Sequence, residues 1–143
     1  MVIIAIPSDG EGGLKDKMNS RFGRCSSFTF VTVENNEITG VKTVPNPASE
    51  AMGGAGIQAA QIVANNGANE LIVGFLGPNA AQSLNALNIK IFQAPNQELT
   101  IKEIVDIRLK GKMDLISSAN VGSHYGMGRG GGFGGGRGRG SRG

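Results

Sequence analysis

The chain has 143 residues, 24 of them glycine, with one cysteine, one histidine and a formal net charge of +3. That length suits one domain, a lone cysteine excludes an internal disulfide, and no apolar run is long enough for a spanning helix. The charge divides along the chain: residues 1–120 hold ten basic and all 11 acidic side chains, whereas residues 121–143 hold four arginines, no acid and 12 of the glycines.

In chain order, Val2 to Ile6 is a short β-branched apolar run closed by Pro7, which predicts a buried strand. VIIAI is too short for a membrane span and no basic n-region precedes it, so a soluble cytoplasmic protein is expected. SDGEGGLKDKMNS, residues 8–20, reads as a polar glycine-bearing loop. FTFVTVE at 28–34 alternates with the strand period, Asn35-Asn36 signals a turn, and Glu37 to Val44 returns as its hairpin partner. PNPASEAMGGAG is a loop, followed by an alanine-rich helix from Ile57 to Asn66 with Gly67 as its terminator. ELIVG at 70–74 predicts a second buried strand. Gly77-Pro78 opens a helix running to about Leu87, because proline suits the first helical position. Lys90 to Gln93 is another short strand. Thr100 and Glu103 have capping-box spacing before a helix carrying Ile101, Ile104, Val105 and Leu109 on one side. Helices alternating with strands require parallel crossovers, while the hairpin requires antiparallel pairing. The expected fold is a three-layer α/β domain over residues 1–115, built on a mixed sheet of about five strands. Residues 116–143 are expected to form a flexible Gly/Arg-rich cationic tail, disordered when free, since they offer almost no aliphatic surface to bury.

SRFGRCSSF, residues 20–28, sets the only thiol beside Arg24 and four residues after Arg21. Cations lower a thiol pKa, and a thiolate is a soft ligand for iron, copper or zinc. Alternatively Cys25 fills a small apolar space at the start of a strand, as free cysteines commonly do. His124 is the only histidine, and one Cys with one His cannot close a tetrahedral zinc site or supply four thiolates to a cluster. What remains is a preassembled metal–sulfur species, or ligands shared between chains. Gly53, Gly54 and Gly56 open one helix and Gly77 another, where exposed amides could receive an anion, or simply cap and turn the chain. Neither loop is followed by GK[ST], and Asp9 and Glu11 would repel a pyrophosphate, so nucleotide chemistry is rejected. No held base supports an acid–base enzyme. Arg129, Arg137, Arg139 and Arg142 put four guanidiniums on a glycine-rich chain, suited to polyanions such as single-stranded RNA or an inorganic sulfide.

VIIAIPSDG, SRFGRCSSF and GGAGIQAAQIVANNGANELIVGFLGPNAAQSLNALNIKIF together resemble the dinitrogenase iron–molybdenum cofactor-binding family, over about residues 1–115. That family includes nitrogenase cofactor carrier and accessory domains. The resemblance implies a ribonuclease-H-like mixed sheet with helices on both faces. It also implies that Phe22-Gly23-Arg24 lies beside the cluster site. Many members carry a histidine just before that Phe-Gly, where this chain has Arg21, which favours electrostatic holding of an anionic cluster over direct ligation. The tail resembles that of archaeal relatives associated with storage of iron and sulfur as an anionic iron sulfide, sometimes within large assemblies. The implied function is carriage or storage of an iron–sulfur or iron–molybdenum–sulfur species by a protein that is not an enzyme. Its contacts would be Arg21, Phe22, Gly23, Arg24, Gly53, Gly54, Gly56 and the tail arginines, with Cys25 and His124 as candidate metal ligands. Homo-oligomers or larger assemblies are expected partners. RNA binding through the tail, or a metal-free partner scaffold, are the alternatives.

Overall fold

The structure, a computed structural model, describes residues 1–50 and 54–119. One six-stranded mixed sheet carries the fold, in the order β3-β2-β1-β4-β5-β6. Its strands are β1 (Val2–Ser8), β2 (Ser27–Glu34), β3 (Glu37–Pro45), β4 (Glu70–Val73), β5 (Lys90–Gln93) and β6 (Asp114–Ile116). The helices are α1 (Ala55–Asn65), α2 (Pro78–Ala86) and α3 (Ile101–Leu109). β1, β4 and β5 run parallel, whereas β2 is antiparallel to both β1 and β3, and β6 is antiparallel to β5.

The sheet has six strands where the sequence suggests about five. β6 is missed because three residues, of which only Leu115 and Ile116 are apolar, are too short to display a period. It lies across position 115, where the sequence suggests a boundary. β1 also runs through Pro7, which sits opposite Phe28. Ile3 exchanges its backbone bonds with Asn69 on the β4 side, so Pro7, four residues on, turns its missing N–H to that side as well. No β1–β2 hydrogen bond is lost there, and the Pro7 carbonyl accepts from the Asn19 N–H at 2.9 Å.

Each sheet face has its own core. Phe28, Phe30, Leu71, Val73 and Ile91 pack under α1 and α2, with Ala59, Ala60, Val63 and Leu84 from the helices. Ile4, Ile6, Val31, Ile72 and Phe92 pack under α3 through Ile101, Ile104 and Val105. The Thr100–Glu103 capping box forms as its spacing predicts. Arg108 clamps α3 to the sheet, with a forked pair to the buried Glu70 at 2.9 and 2.8 Å and its guanidinium 4.0 Å over Phe92. Among the described residues no helix is long and apolar enough to cross a membrane.

Candidate functional site

Because β3 and β1 are both antiparallel to β2, the carboxyl ends of β1, β3, β4 and β5 fall on one sheet edge. Connections that leave this edge meet there, at the edge where ligands bind in open α/β sheets.

The segment after β1 returns along this edge. Asn19 N–H bonds Pro7, Phe75 N–H bonds the Ser20 carbonyl at 2.7 Å, and Met18 N–H bonds Leu99. Gly74 makes this possible: a Cβ there would lie 2.9–3.0 Å from Ser20. Upstream, Asp16 closes the loop by accepting from the amides of Gly10, Gly12 and Lys17, each at 2.8 Å. Burial raises its pKa, but the three amide bonds outweigh that and hold it below 3.8. Gly12 folds tightly against Thr43 and Thr29, on the α3 side of the sheet. The exposed acids Asp9 and Glu11 belong to this loop.

Next comes a single 3-10 turn, Phe22–Arg24, which sits on the opposite side. Phe22 is buried with its ring 5.6 Å from Phe28, in the core under α1 and α2. Gly23 lies directly on the first turn of α1, where a Cβ would meet Gly56 N at 3.1 Å and the Ala55 carbonyl carbon at 3.2 Å. Gly56 in turn approaches Ala80 of α2, with no room for a side chain. Gly56, for which the sequence offered a cap or turn role, is thus a close-packing position, as is Gly23. Arg21 is exposed and Arg24 half-buried on this turn.

Cys25 is fully buried. Its Sγ faces the Phe22 carbonyl at 3.3 Å, and burial pushes the thiol up to about 12 despite the nearby Asn46 amide. The adjacent arginines therefore do not activate it. In this geometry it is a neutral thiol of the core and presents no thiolate to solvent. Asn46, which the sequence did not single out, is 3% exposed and ties this turn to the segment leading into α1.

α1 begins at Gly54, which is left-handed at φ 70°, and α2 at Gly77. Neither has a side-chain cap or an acid in its first turn. Among the described residues, neither positive dipole end is thus met by a capping side chain or a first-turn acid.

Beside the turn lies a cleft of about 210 Å³ between Met18, Ser20, Gly74 and Phe75 on one wall and Gln93–Gln97 on the other. Arg21 adjoins it, since its backbone bridges to Phe75. The Gln93 amide fills the gap where β4 and β5 separate, donating to the carbonyls of Val73, Gly74 and Ala94 at 3.0–3.3 Å. Every lining residue is neutral. The cleft was not read from the sequence; APNQ directly after a strand at the carboxyl edge is the signal that could have found it.

The family model described as dinitrogenase iron-molybdenum cofactor matches residues 1–111. The chain belongs to the dinitrogenase iron-molybdenum cofactor family. It is 33% identical over 111 residues to an uncharacterized protein of Methanocaldococcus jannaschii, covering 78% of this chain and 88% of that one. It resembles the apo form of the orange protein from Desulfovibrio gigas, with a TM-score of 0.76 and 35% identity over 85% of this chain and 98% of the other. A putative NifB protein from Thermotoga is similar at a TM-score of 0.70 and 26% identity, over 85% and 98% of the two chains.

Within this family member, Arg21, Phe22, Gly23, Arg24, Gly54 and Gly56 meet at one edge. Gly53, His124, Arg129, Arg137, Arg139 and Arg142, with the expected flexible tail, lie outside the described residues. No cluster of three or more His, Cys, Asp or Glu suited to a metal ion occurs among the described residues.

Proposed function

We propose that this protein carries or stores a preassembled, anionic metal–sulfur species, received intact at the edge formed by the Arg21–Arg24 turn, the α1 and α2 N-termini and the adjoining cleft. The observation that carries this reading is the union of two helix starts with no first-turn acid and no side-chain cap, an arginine turn and a neutral cleft. Sulfides on such a species accept hydrogen bonds from amides and guanidiniums, so recognition needs no protein thiolate. The buried, protonated Cys25 supports holding by charge and hydrogen bonds over ligation by that residue. The family description and the orange protein, solved in an apo form, support a cluster as cargo. The strand order β3-β2-β1-β4-β5 with antiparallel β2 supports the ribonuclease-H-like designation. On this reading the protein is a carrier, not an enzyme, and the tail arginines add long-range attraction.

The test is a metal and acid-labile sulfide inventory of the full chain purified without oxygen, with its visible spectrum. Stoichiometric metal and sulfide with charge-transfer absorbance is expected. Colourless protein that also fails to retain added tetrathiomolybdate, a dianion of one metal and four sulfides, overturns the proposal. Ultraviolet absorbance removed by nuclease would instead mark RNA as the cargo.

A further inference from the structure

The backbone carbonyls of Ser20, Arg21, Phe22, Gly23, Cys25 and Ser26 all have donors within the protein. A carbonyl oxygen pointed at an anion repels it, so a turn that receives one must direct its acceptors elsewhere. Here the Ser20 carbonyl accepts from Phe75 N–H, that of Arg21 from Arg24 N–H, and that of Phe22 faces the Cys25 thiol. The Gly23 and Cys25 carbonyls both accept from one side-chain amide, Asn46 Nδ2, at 3.3 and 2.9 Å. Ser26 accepts from the Asn46 backbone N–H at 3.0 Å.

Asn46 therefore serves three carbonyls of this segment, two through its side chain. Its own Oδ1 accepts from Ala48 N–H at 3.1 Å, at the start of the Pro47–Glu50 turn that leads towards α1. One buried amide joins the arginine turn to the approach of the α1 N-terminus. Gly23 packed on Ala55 and Gly56 fixes the same two parts from the other side.

We infer that Asn46 is a positioning residue for the anion-receiving turn. It draws the Gly23 and Cys25 carbonyls inward, so that Arg24 and the first amides of α1 face the cargo together. This rests on the proposed carriage of an anionic metal–sulfur species. Aspartate cannot do the same: its carboxylate donates nothing and would stand against two carbonyl oxygens. Serine keeps one donor, and alanine keeps none.

The test is a double-variant cycle on the full chain, with tetrathiomolybdate as the probe. Equilibrium dialysis is run at about 1 M salt, where the Debye length is about 3 Å and exposed tail contacts are screened. The variants are Asn46→Ala, Arg24→Lys and the pair together, with circular dichroism confirming the fold. Each single change is expected to weaken binding about tenfold, and the pair to lose little more than the worse single, because both act through one geometry. Losses that multiply overturn the inference, since an amide that only supports the fold acts independently of the residue at 24. Unchanged binding in Asn46→Ala, with Arg24→Lys weakened, also overturns it while leaving the carriage reading intact. Failure of the wild type to bind the probe overturns the carriage reading first, and the inference falls with it. If Asn46→Ala does not fold, the same cycle is read with Asn46→Ser, for which a smaller but equally non-multiplying loss is expected.

Discussion

Cys25 illustrates how burial overrides sequence neighbours. Its flanking arginine suggests an activated thiol, yet it lies under Phe22 and Asn46 with no exposed surface. An unfolded thiol releases its proton near 9.0, whereas the folded one holds it to about 12. Between those values the unfolded chain has lost a proton that the folded chain keeps. The contribution of Cys25 to stability is thus whole below the lower value and falls as pH rises, by about 1.4 kcal/mol per unit. Cys25→Ala should flatten that alkaline decline, read from denaturant midpoints on either side of the window. A wild-type-to-variant difference that stays constant with pH contradicts the buried placement. Cys25→Ser should cost about 1–3 kcal/mol through its buried hydroxyl and leave bound metal unchanged. The arginines divide differently. Arg24 is held on a folded turn, so Arg24→Lys should weaken retention of metal–sulfide absorbance, because an ammonium does not copy a planar fork. On the proposed reading Arg137 acts through charge, so Arg137→Lys should be nearly silent. Equal damage from both would remove the turn from the site.

At the scale of elements, α1 and α2 each forgo a stabilising device. Gly77 has the extended backbone of a helix cap, and nothing lies within 4 Å of a Cβ built there. Gly77→Asp should therefore cap α2 and raise stability by about 0.5–1 kcal/mol. The same carboxylate would sit at the proposed receiving edge for an anionic cargo, so binding of tetrathiomolybdate should fall. Thermal melts and dialysis on one preparation measure both. A variant that gains stability and binds as well as wild type places the cargo away from α2. The capping box and amphipathic side of α3 were legible because both depend on residues three and four apart. Strands β2, β3 and β5 were legible from alternation and turn residues. The loop after β1 read as merely polar, since its order comes from Asp16 turning back on amides of its own loop and from Thr29 and Leu99, which are reached through tertiary contact.

For the whole molecule, the sheet stands between two segments of the candidate edge. Asp9 and Glu11 belong to the loop folded on the α3 side, and Arg21 and Arg24 to the turn packed against α1. β6 runs opposite to β5, so the chain heads away from the candidate edge as it passes Ser117, whose carbonyl accepts from Asn85. The ten steps from Ala119 to Arg129 cover at most about 35 Å of extended chain. A chain ending at Asn120 should keep nearly the full melting temperature, because the two cores of the described residues lie before that point, and should lose most of its low-salt affinity for anions. A large drop in melting temperature on truncation would make the tail part of the fold.

The sequence by itself determined the α/β alternation, the hairpin, the α3 cap, the split of charge at the tail and the family resemblance. All of these rest on short-range periodicity, local turn chemistry or residue order. Tertiary structure alone decided that β1 passes through Pro7, that Cys25 is a neutral core thiol, and that Asn46 reaches back to Gly23. It also decided that Met18 and Gln93, 75 positions apart in the chain, line one cleft. Burial, pKa and convergence at a sheet edge depend on which distant segments exclude water from one another, and no local pattern in the chain encodes that.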